Sequence, residues 1–132
     1  MKVFANGCFD ILHAGHIHLL KQAKKYGDYL IVGLNSDDSV SRLKGKGRPV
    51  NNEKTRMANL ISFNMVDAVI PFSEDTPEKL IRELKPDFLV KGDDWKVENI
   101  AGAEFVLRNG GAVILIPVLP GFSTTDCINA YK

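Results

Sequence analysis

Residues 6–16 read NGCFDILHAGH and follow a short apolar run at Val3–Ala5. A glycine in this turn lets backbone amides approach a ligand closely, and a helix that begins after it presents unpaired N–H groups to negative charge. His13 and His16 are three residues apart, so on a first helical turn both rings can project to the same side. The rings and the amides form a donor cluster suited to phosphate oxygens. The alternative is a capping histidine beside a packed one.

Four more apolar runs follow this turn: Tyr29–Leu34, Ala68–Phe72, Phe88–Val90 and Ala112–Ile116. Most are continuous rather than alternating, which is typical of strands covered on both faces of a parallel sheet. Helix-like stretches separate them. The alternation predicts an α/β fold, a Rossmann-like doubly wound five-stranded parallel sheet formed by a single domain, 1–132. Ligands of such sheets bind outside the carboxyl ends of the strands, where the turn 6–16 would lie.

The helix signals differ in strength along the chain. The first predicted helix turns three apolar side chains inward, Ile17, Leu20 and Ala23, and Gly27 stops it at a C′ position. A second helix is predicted from Glu53 to Phe63, with Met57, Leu60 and Ile61 on its inner face. A third has Thr76 as N-cap and Pro77 at its first position. Two more are predicted at Ala103–Arg108 and at about 125–131.

The composition excludes several classes of protein. The 132 residues are 45% hydrophobic and 25% charged, with a formal net charge of +1. A general nucleic-acid coat or a membrane-surface binder needs a strong basic excess, and no apolar run reaches the length of a membrane helix. The first residues carry Asp10 and two histidines where a signal peptide would be apolar, which predicts a cytoplasmic protein. Cys8 and Cys127 have no metal-ligand spacing, so no protein-bound metal site is predicted.

A basic segment, residues 42–48, reads RLKGKGR. Its cationic side chains alternate with other residues, and Gly45 and Gly47 would allow the chain to move. The segment can be a mobile clamp whose lysine closes on phosphates, or an ordinary solvated surface. Arg56, on the next predicted helix, has a guanidinium fork that matches phosphate oxygens, although an exposed helix arginine is its simpler interpretation.

Two further segments carry polar groups that could meet a ligand. Residues 91–95, KGDDW, follow a predicted strand, so Gly92 could admit a nucleotide close to the backbone and an aspartate could accept a hydrogen bond from that nucleotide. Residues 123–125, STT, open the last predicted helix and could bind an anion or simply cap that helix.

The pattern G-x-F-D-x-x-H-x-G-H at 7–16 resembles the signature of the cytidylyltransferase-like nucleotidyltransferase superfamily. The segments RLKGKGRPVN at 42–51, LVKGDDW at 89–95 and the IAGAE and NGG stretches at 100–104 and 109–111 make the chain most similar to the bacterial heptose 1-phosphate adenylyltransferases. The resemblance covers nearly the whole chain.

This resemblance implies transfer of AMP from ATP to a sugar 1-phosphate, with release of pyrophosphate, in the synthesis of ADP-heptose for lipopolysaccharide. Mg²⁺ would arrive with the triphosphate. The implied catalytic residues are His13, His16, Lys44 and Arg56, with Lys44 favoured over Lys46 as the phosphate contact. The implied nucleotide-binding residues are Asn6, Gly7, Cys8, Phe9, Asp10, Gly15, Lys46, Lys91, Gly92, Asp93, Ser123, Thr124 and Thr125. Asp10 could orient a histidine ring or lie near the metal.

Other activities remain open at this point. The cytidylyltransferase branch carries an arginine where this chain has VLPGFSTT at 118–125, which favours ATP, whereas the GDDW form at 92–95 is that of the same branch and favours CTP with glycerol 3-phosphate. FMN is a further possible acceptor, and a binding module without turnover is the alternative from another class. The resemblance also implies a separate sugar kinase upstream and allows a homodimer.

Overall fold

The computed structural model describes residues 1–118 and consists of a parallel sheet flanked by helices. The strands are β1 (Lys2–Gly7), β2 (Tyr29–Asn35), β3 (Ala68–Phe72), β4 (Phe88–Gly92) and β5 (Ala112–Ile116). The helices are α1 (Ala14–Lys24), α2 (Asp37–Lys44), α3 (Glu53–Ile61), α4 (Glu78–Leu84) and α5 (Ala103–Arg108), with a short 3-10 helix at Val97–Asn99. The predicted α/β class and the five parallel strands are confirmed.

The strand order is β3-β2-β1-β4-β5, and every neighbouring pair is parallel. In β1, Val3 lies opposite Leu30 on one side and Phe88 on the other. The order reverses at β1, because the chain moves outward to β2 and β3 and then returns to β4 on the opposite side. The carboxyl ends of β1 and β4 therefore flank the switch point, where ligands of open α/β sheets bind.

The core occupies both faces of the sheet, which explains the continuous apolar runs. Successive residues of β1 alternate between the faces: Val3 and Ala5 pack in the cluster that contains Leu20 of α1 and Leu60 of α3. Phe4 belongs to the opposite cluster, with Ile81 of α4.

Gly27 has a different role from the one predicted. The first helix ends at Lys24 with Lys25 as C-cap, and Gly27 is not among the residues with positive φ. A Cβ atom at position 27 would lie 2.5 Å from the Met1 carbonyl oxygen. The glycine is therefore required by the close approach of the first residue of the chain, and its predicted C′ position is wrong.

Two other helix predictions need adjustment. Ile61 ends α3 and is 51% exposed, so it does not lie on the inner face, whereas Leu60 is buried as predicted. Pro77 is the N-cap of α4, without a side-chain hydrogen bond, so the predicted cap at Thr76 is displaced by one residue. The predicted α5 has the observed bounds.

Helix α2 was not predicted. Its sequence, DDSVSRLK, contains only two apolar residues, of which Val40 is buried and Leu43 exposed. The signal that could have found it is the Ser36 side chain, which caps the helix by accepting from the Ser39 N–H at 3.2 Å. As a result the first half of the basic segment is helical. Among the described residues no helix is both long and apolar enough to cross a membrane. The predicted helix at 125–131 lies outside the described residues.

Candidate active site

A cavity of about 320 Å³ opens at the carboxyl ends of β1 and β4. Asn6 and Gly7 end β1 at its wall, and Lys91 and Gly92 end β4 beside them. Its other lining residues are Cys8, Phe9, His13, Gly15, His16, His18, Leu19, Lys44, Asp94, Trp95, Pro117 and Val118. The structure thus brings most of the sequence-predicted site residues together at the switch point of the sheet.

His13 and His16 form one wall of this cavity. Their rings stack with centroids 3.9 Å apart and planes 23° from parallel. His13 is the N-cap of α1, and its Nδ1 accepts a hydrogen bond from the Gly15 N–H at 3.1 Å. His13 therefore both caps α1 and lines the cavity. His16 also meets the Phe9 ring edge-on, with centroids 5.2 Å apart.

The pKa of His16 is lowered to about 4, mainly because burial disfavours its charged form. The neighbouring His13 and the positive charge of Lys44 lower it further. At neutral pH His16 is therefore an uncharged ring that can donate one hydrogen bond. Its Nδ1 is buried and has no hydrogen-bond partner within residues 1–118. An anion in the cavity would favour protonation of this ring.

The basic segment divides its side chains between different partners. Lys44, the last residue of α2, lies at the cavity wall. Arg42 does not line the first cavity. It pairs with Asp75, at 3.0 Å, and donates to the Ser73 carbonyl oxygen. Arg48 pairs with Asp10. Lys46 is exposed and is not among the described residues that line the cavity.

A second cavity, of about 340 Å³, adjoins the first. The two share six lining residues: Asn6, Gly7, Cys8, Lys44, Lys91 and Trp95. The second cavity extends toward Asn35 at the end of β2 and toward Thr76 in the loop before α4. Two ligands in these cavities would meet at Lys44 and Lys91.

Lys91 lies between the cavities under unusual conditions. Its Nζ is 4.6 Å from the centroid of the Trp95 ring, a cation–π distance. Burial lowers its pKa below the ordinary lysine value, and the positive charge of Lys44 acts in the same direction. Burial raises the pKa of the Cys8 thiol, which therefore stays protonated and unreactive at neutral pH.

Arg56 is not at either cavity in the part of the chain that the structure describes. Its side chain is completely buried, so it is not the exposed helix arginine considered from the sequence. Its Nε donates to the Asn51 carbonyl oxygen and its Nη1 to the carbonyl oxygens of Cys8 and Asn35. Its Nη2 pairs with Asp37 at 2.8 Å. In this structure Arg56 ties together the ends of β1 and β2.

Asp10 and Asp93 also hold the backbone rather than face the first cavity. Asp10 is 1% exposed, and its carboxylate accepts hydrogen bonds from residues of the segment 48–51. The Oδ1 atom of Asp93 accepts from the Val118 N–H at 3.2 Å. Asp94, which the sequence did not single out over Asp93, is the aspartate of KGDDW at the wall.

The lack of a side chain at Gly92 allows Val118 and the Asp94 carboxylate to lie close to the end of β4. A Cβ atom on it would lie 2.7 Å from Val118 and 2.8 Å from the Asp94 carboxylate. His18, Leu19, Pro117 and Val118 line the first cavity and were not predicted. Ser123, Thr124 and Thr125 lie outside the described residues.

A family model described as cytidylyltransferase-like matches residues 4–129. The protein named bifunctional protein HldE from Shewanella sediminis is 56% identical over 126 residues, which are 96% of this chain and 26% of that protein. The protein of the same name from Haemophilus influenzae is 55% identical over 130 residues, 98% of this chain and 27% of its own length. The chain thus spans about a quarter of the curated relatives it matches.

Among solved structures, a lipopolysaccharide core biosynthesis protein from Thermoplasma volcanium matches with a TM-score of 0.70 and 36% identity. The match covers 90% of this chain and 96% of that one. A pantothenate synthetase from Thermus thermophilus shares the fold, with a TM-score of 0.63 at 15% identity, over 98% of this chain and 64% of that one.

Proposed function

This chain belongs to the cytidylyltransferase-like family, and from that premise we propose that it transfers AMP from ATP to heptose 1-phosphate, releasing pyrophosphate. The proposal takes residues 1–132 as one nucleotidyltransferase domain. The observation that carries it is the pair of adjoining cavities that share Lys44 and Lys91, with the stacked histidines at the wall of the first. The choice of ATP and heptose 1-phosphate rests on the resemblance to heptose 1-phosphate adenylyltransferases. The similarity to a lipopolysaccharide core biosynthesis protein supports this choice.

The reaction that fits this site is a direct in-line transfer. An oxygen of the sugar phosphate attacks the α-phosphorus of ATP, and the bond from that phosphorus to the pyrophosphate oxygen breaks. Such a transfer requires positioning and stabilisation of charge rather than a nucleophilic side chain. The protonated Cys8 thiol is consistent with this, because no covalent intermediate is needed.

We assign the triphosphate to the first cavity. There the His16 ring and the amides at the start of α1 would donate to the phosphate oxygens, with His13 beside them. The acceptor would occupy the second cavity, with its phosphate near Lys44 and Lys91. Burial lowers the pKa of Lys91, and an incoming anion would favour its charged form.

Enzymes of this kind typically use a divalent metal ion with the nucleotide, and we propose Mg²⁺ here. Within residues 1–118 no group of three or more His, Cys, Asp or Glu side chains could hold a metal ion. Asp94 is the carboxylate that lines the first cavity, so the ion would be held mainly by phosphate oxygens with Asp94 close by.

Transfer of CMP to glycerol 3-phosphate is the second candidate. It is favoured by the GDDW segment, whose Asp94 and Trp95 line the first cavity. The absence of an arginine at 118–125 favours ATP instead. We further propose that the protein works in the cytoplasm, with a sugar kinase supplying its acceptor, and that it can form a homodimer.

The test is pyrophosphate release with Mg²⁺, with ATP and CTP each combined with heptose 1-phosphate, glycerol 3-phosphate and FMN. Release with ATP and heptose 1-phosphate alone is the expected result. Release with CTP and glycerol 3-phosphate would replace it by the second candidate. No release in any combination would contradict both, and binding of ATP would then distinguish a nucleotide-binding module.

A further inference from the structure

The carboxylate of Asp10 is directed at one piece of chain, the segment 48–51. Its Oδ1 accepts from the Asn51 N–H at 2.7 Å. Its Oδ2 accepts from the Val50 N–H at 2.7 Å and from the Arg48 Nε at 3.2 Å. The carbonyl oxygen of Asp10 also accepts from the Asn51 side chain, at 2.6 Å. Both oxygens of a carboxylate that is 1% exposed are thus used to hold this segment.

The segment 48–51 directly follows the stretch that contains Lys44. Gly45 and Gly47 have φ values of +96° and +86°, and a Cβ atom on either would meet nothing within 4 Å. Ahead of them, α2 fixes the chain through the Gly45 N–H, which donates to the Ser41 carbonyl oxygen at 3.0 Å. The glycine-containing stretch is therefore open to solvent and lies between two fixed points. The second is at Arg48, whose carbonyl oxygen accepts from the Ser41 hydroxyl at 2.6 Å and whose side chain pairs with Asp10.

The position of Asp10 in the chain gives this contact its significance. It lies three residues before His13, in the turn that joins β1 to α1. The contact therefore ties the end of the basic segment to the turn that carries the histidines. A buried carboxylate is costly unless hydrogen-bonded donors surround it, and Asn in its place would offer an amide N–H toward groups that themselves donate.

We propose that Asp10 is a positioning residue, which anchors the segment 48–51 to the histidine turn. Through the Arg48 carbonyl oxygen, which accepts from the Ser41 hydroxyl of α2, this anchor also fixes the end of α2 and holds Lys44 at the wall shared by the two cavities. The proposal rests on the proposed function, in which Lys44 contacts phosphate. It replaces the roles considered from the sequence, in which Asp10 meets the nucleotide, a histidine ring or the metal.

The first experiment is a double-mutant cycle on pyrophosphate release from the full chain with ATP and heptose 1-phosphate. Asp10→Asn lowers kcat/KM about tenfold or more, the loss expected when a charged contact of about 1.4 kcal/mol is misplaced. Because Asp10 acts through Lys44, the double variant Asp10→Asn/Lys44→Ala is no slower than Lys44→Ala alone. Losses that multiply in the double variant, or an Asp10→Asn enzyme with normal kcat and KM, would overturn the proposal.

Asp67→Asn is the control for loss of a hydrogen-bonded carboxylate outside the site. Asp67 also accepts from a backbone N–H, that of Leu30 at 2.7 Å, and pairs with Lys24. It lies at the opposite edge of the sheet, where β2 begins. Its replacement leaves kcat/KM within about twofold, since it anchors no part of the site. An equal loss in both variants would show that Asp10 matters only for general stability and would overturn the proposal.

Trypsin provides a readout that does not depend on activity. It cleaves after Lys44 and Lys46, and release of the anchor increases the rate of cleavage at these bonds about fivefold or more in Asp10→Asn under native conditions. Asn51→Ala, which severs one hydrogen bond, gives a smaller increase and serves in place of Asp10→Asn where that variant does not fold. Unchanged cleavage in the folded variants would overturn the anchor. A wild-type protein that released no pyrophosphate would contradict the proposed function, and the cleavage rates would still decide the anchor.

Discussion

The carboxyl edge of the sheet carries two sets of polar side chains that use their hydrogen bonds differently. The polar and charged side chains buried in residues 1–118 form a frame: Asp10, Asn35, Ser39 and Arg56. Arg56 and Asp10 both bond to the segment around Asn51, while Asn35 donates to the Ser39 hydroxyl, which donates to the Glu74 carbonyl oxygen. The side chains of this frame form their hydrogen bonds with other groups of the protein.

The second set lines the cavities, and its main members are His16, Lys44 and Lys91. Burial lowers the pKa values of His16 and Lys91, as expected where the loss of water outweighs favourable interactions with neighbouring protein groups. Residue type alone therefore does not determine the role of a polar side chain at this edge. A buried arginine whose donors meet carbonyl groups holds the fold, whereas a lysine at a cavity wall is available for a ligand.

Loss of a cavity-lining donor is the most severe test of this division. His16→Ala lowers kcat by about 10²–10³ because a donor to the charge that grows in the transition state is removed. Its midpoint of thermal unfolding stays close to that of the wild type. Steady-state pyrophosphate release and a thermal scan measure the two quantities, and near-normal turnover would contradict the assignment of the site.

Loss of a frame residue has its main effect on stability. Arg56→Met lowers the free energy of unfolding by about 3 kcal/mol, since three backbone carbonyl oxygens lose a charged donor that is itself completely buried. Arg82→Met is the control, because Arg82 is exposed and its ion pair with Glu78 is long, at 3.9 Å. This substitution lowers the free energy of unfolding by less than about 1 kcal/mol. Urea unfolding of both variants makes the comparison. Equal losses would mean that the buried network does not hold this edge.

The two lysines of the basic segment differ in position, since Lys44 lines the cavities and Lys46 does not. Lys44→Ala lowers kcat/KM about tenfold or more, the loss of one charge-assisted hydrogen bond to phosphate. Lys46→Ala has an effect several-fold smaller, since Lys46 is exposed away from the described cavity walls. Kinetics of the two variants decide this. A larger loss at Lys46 would show that the segment closes differently when substrates bind.

The pH dependence of stability tests the burial of His16. The pKa of His16 is about 4 in the folded chain against 6.5 for the ordinary value, so the unfolded chain takes up a proton first as the pH falls. The low pKa of His16 therefore leaves the free energy of unfolding unaffected above pH 6.5. Between pH 6.5 and about 4 it lowers that free energy progressively, because the folded chain resists protonation. Urea midpoints for His16→Asn therefore decline less over this range than those of the wild type. Parallel declines would contradict the lowered pKa.

Much of the fold could be predicted from the sequence, because it depends on local patterns. Continuous apolar runs predicted the five strands, and the turn 6–16 predicted where the cavity opens. The roles of Asp10 and Arg56 could not be predicted, since each depends on carbonyl or amide groups brought from distant parts of the chain. Helix α2 was missed because its short apolar stripe, Val40 and Leu43, is too weak to indicate a period.

The most direct test of the division is an NMR titration with ATP and Mg²⁺ that follows the histidine ring nitrogens and the arginine Nε groups together. Large shifts are expected at His13 and His16, because phosphate oxygens reach these rings. Little change is expected at Arg56 Nε, which donates to the Asn51 carbonyl oxygen at 2.9 Å. A large shift at Arg56 with unchanged histidines would contradict the account, since the frame rather than the cavity wall would then meet the nucleotide.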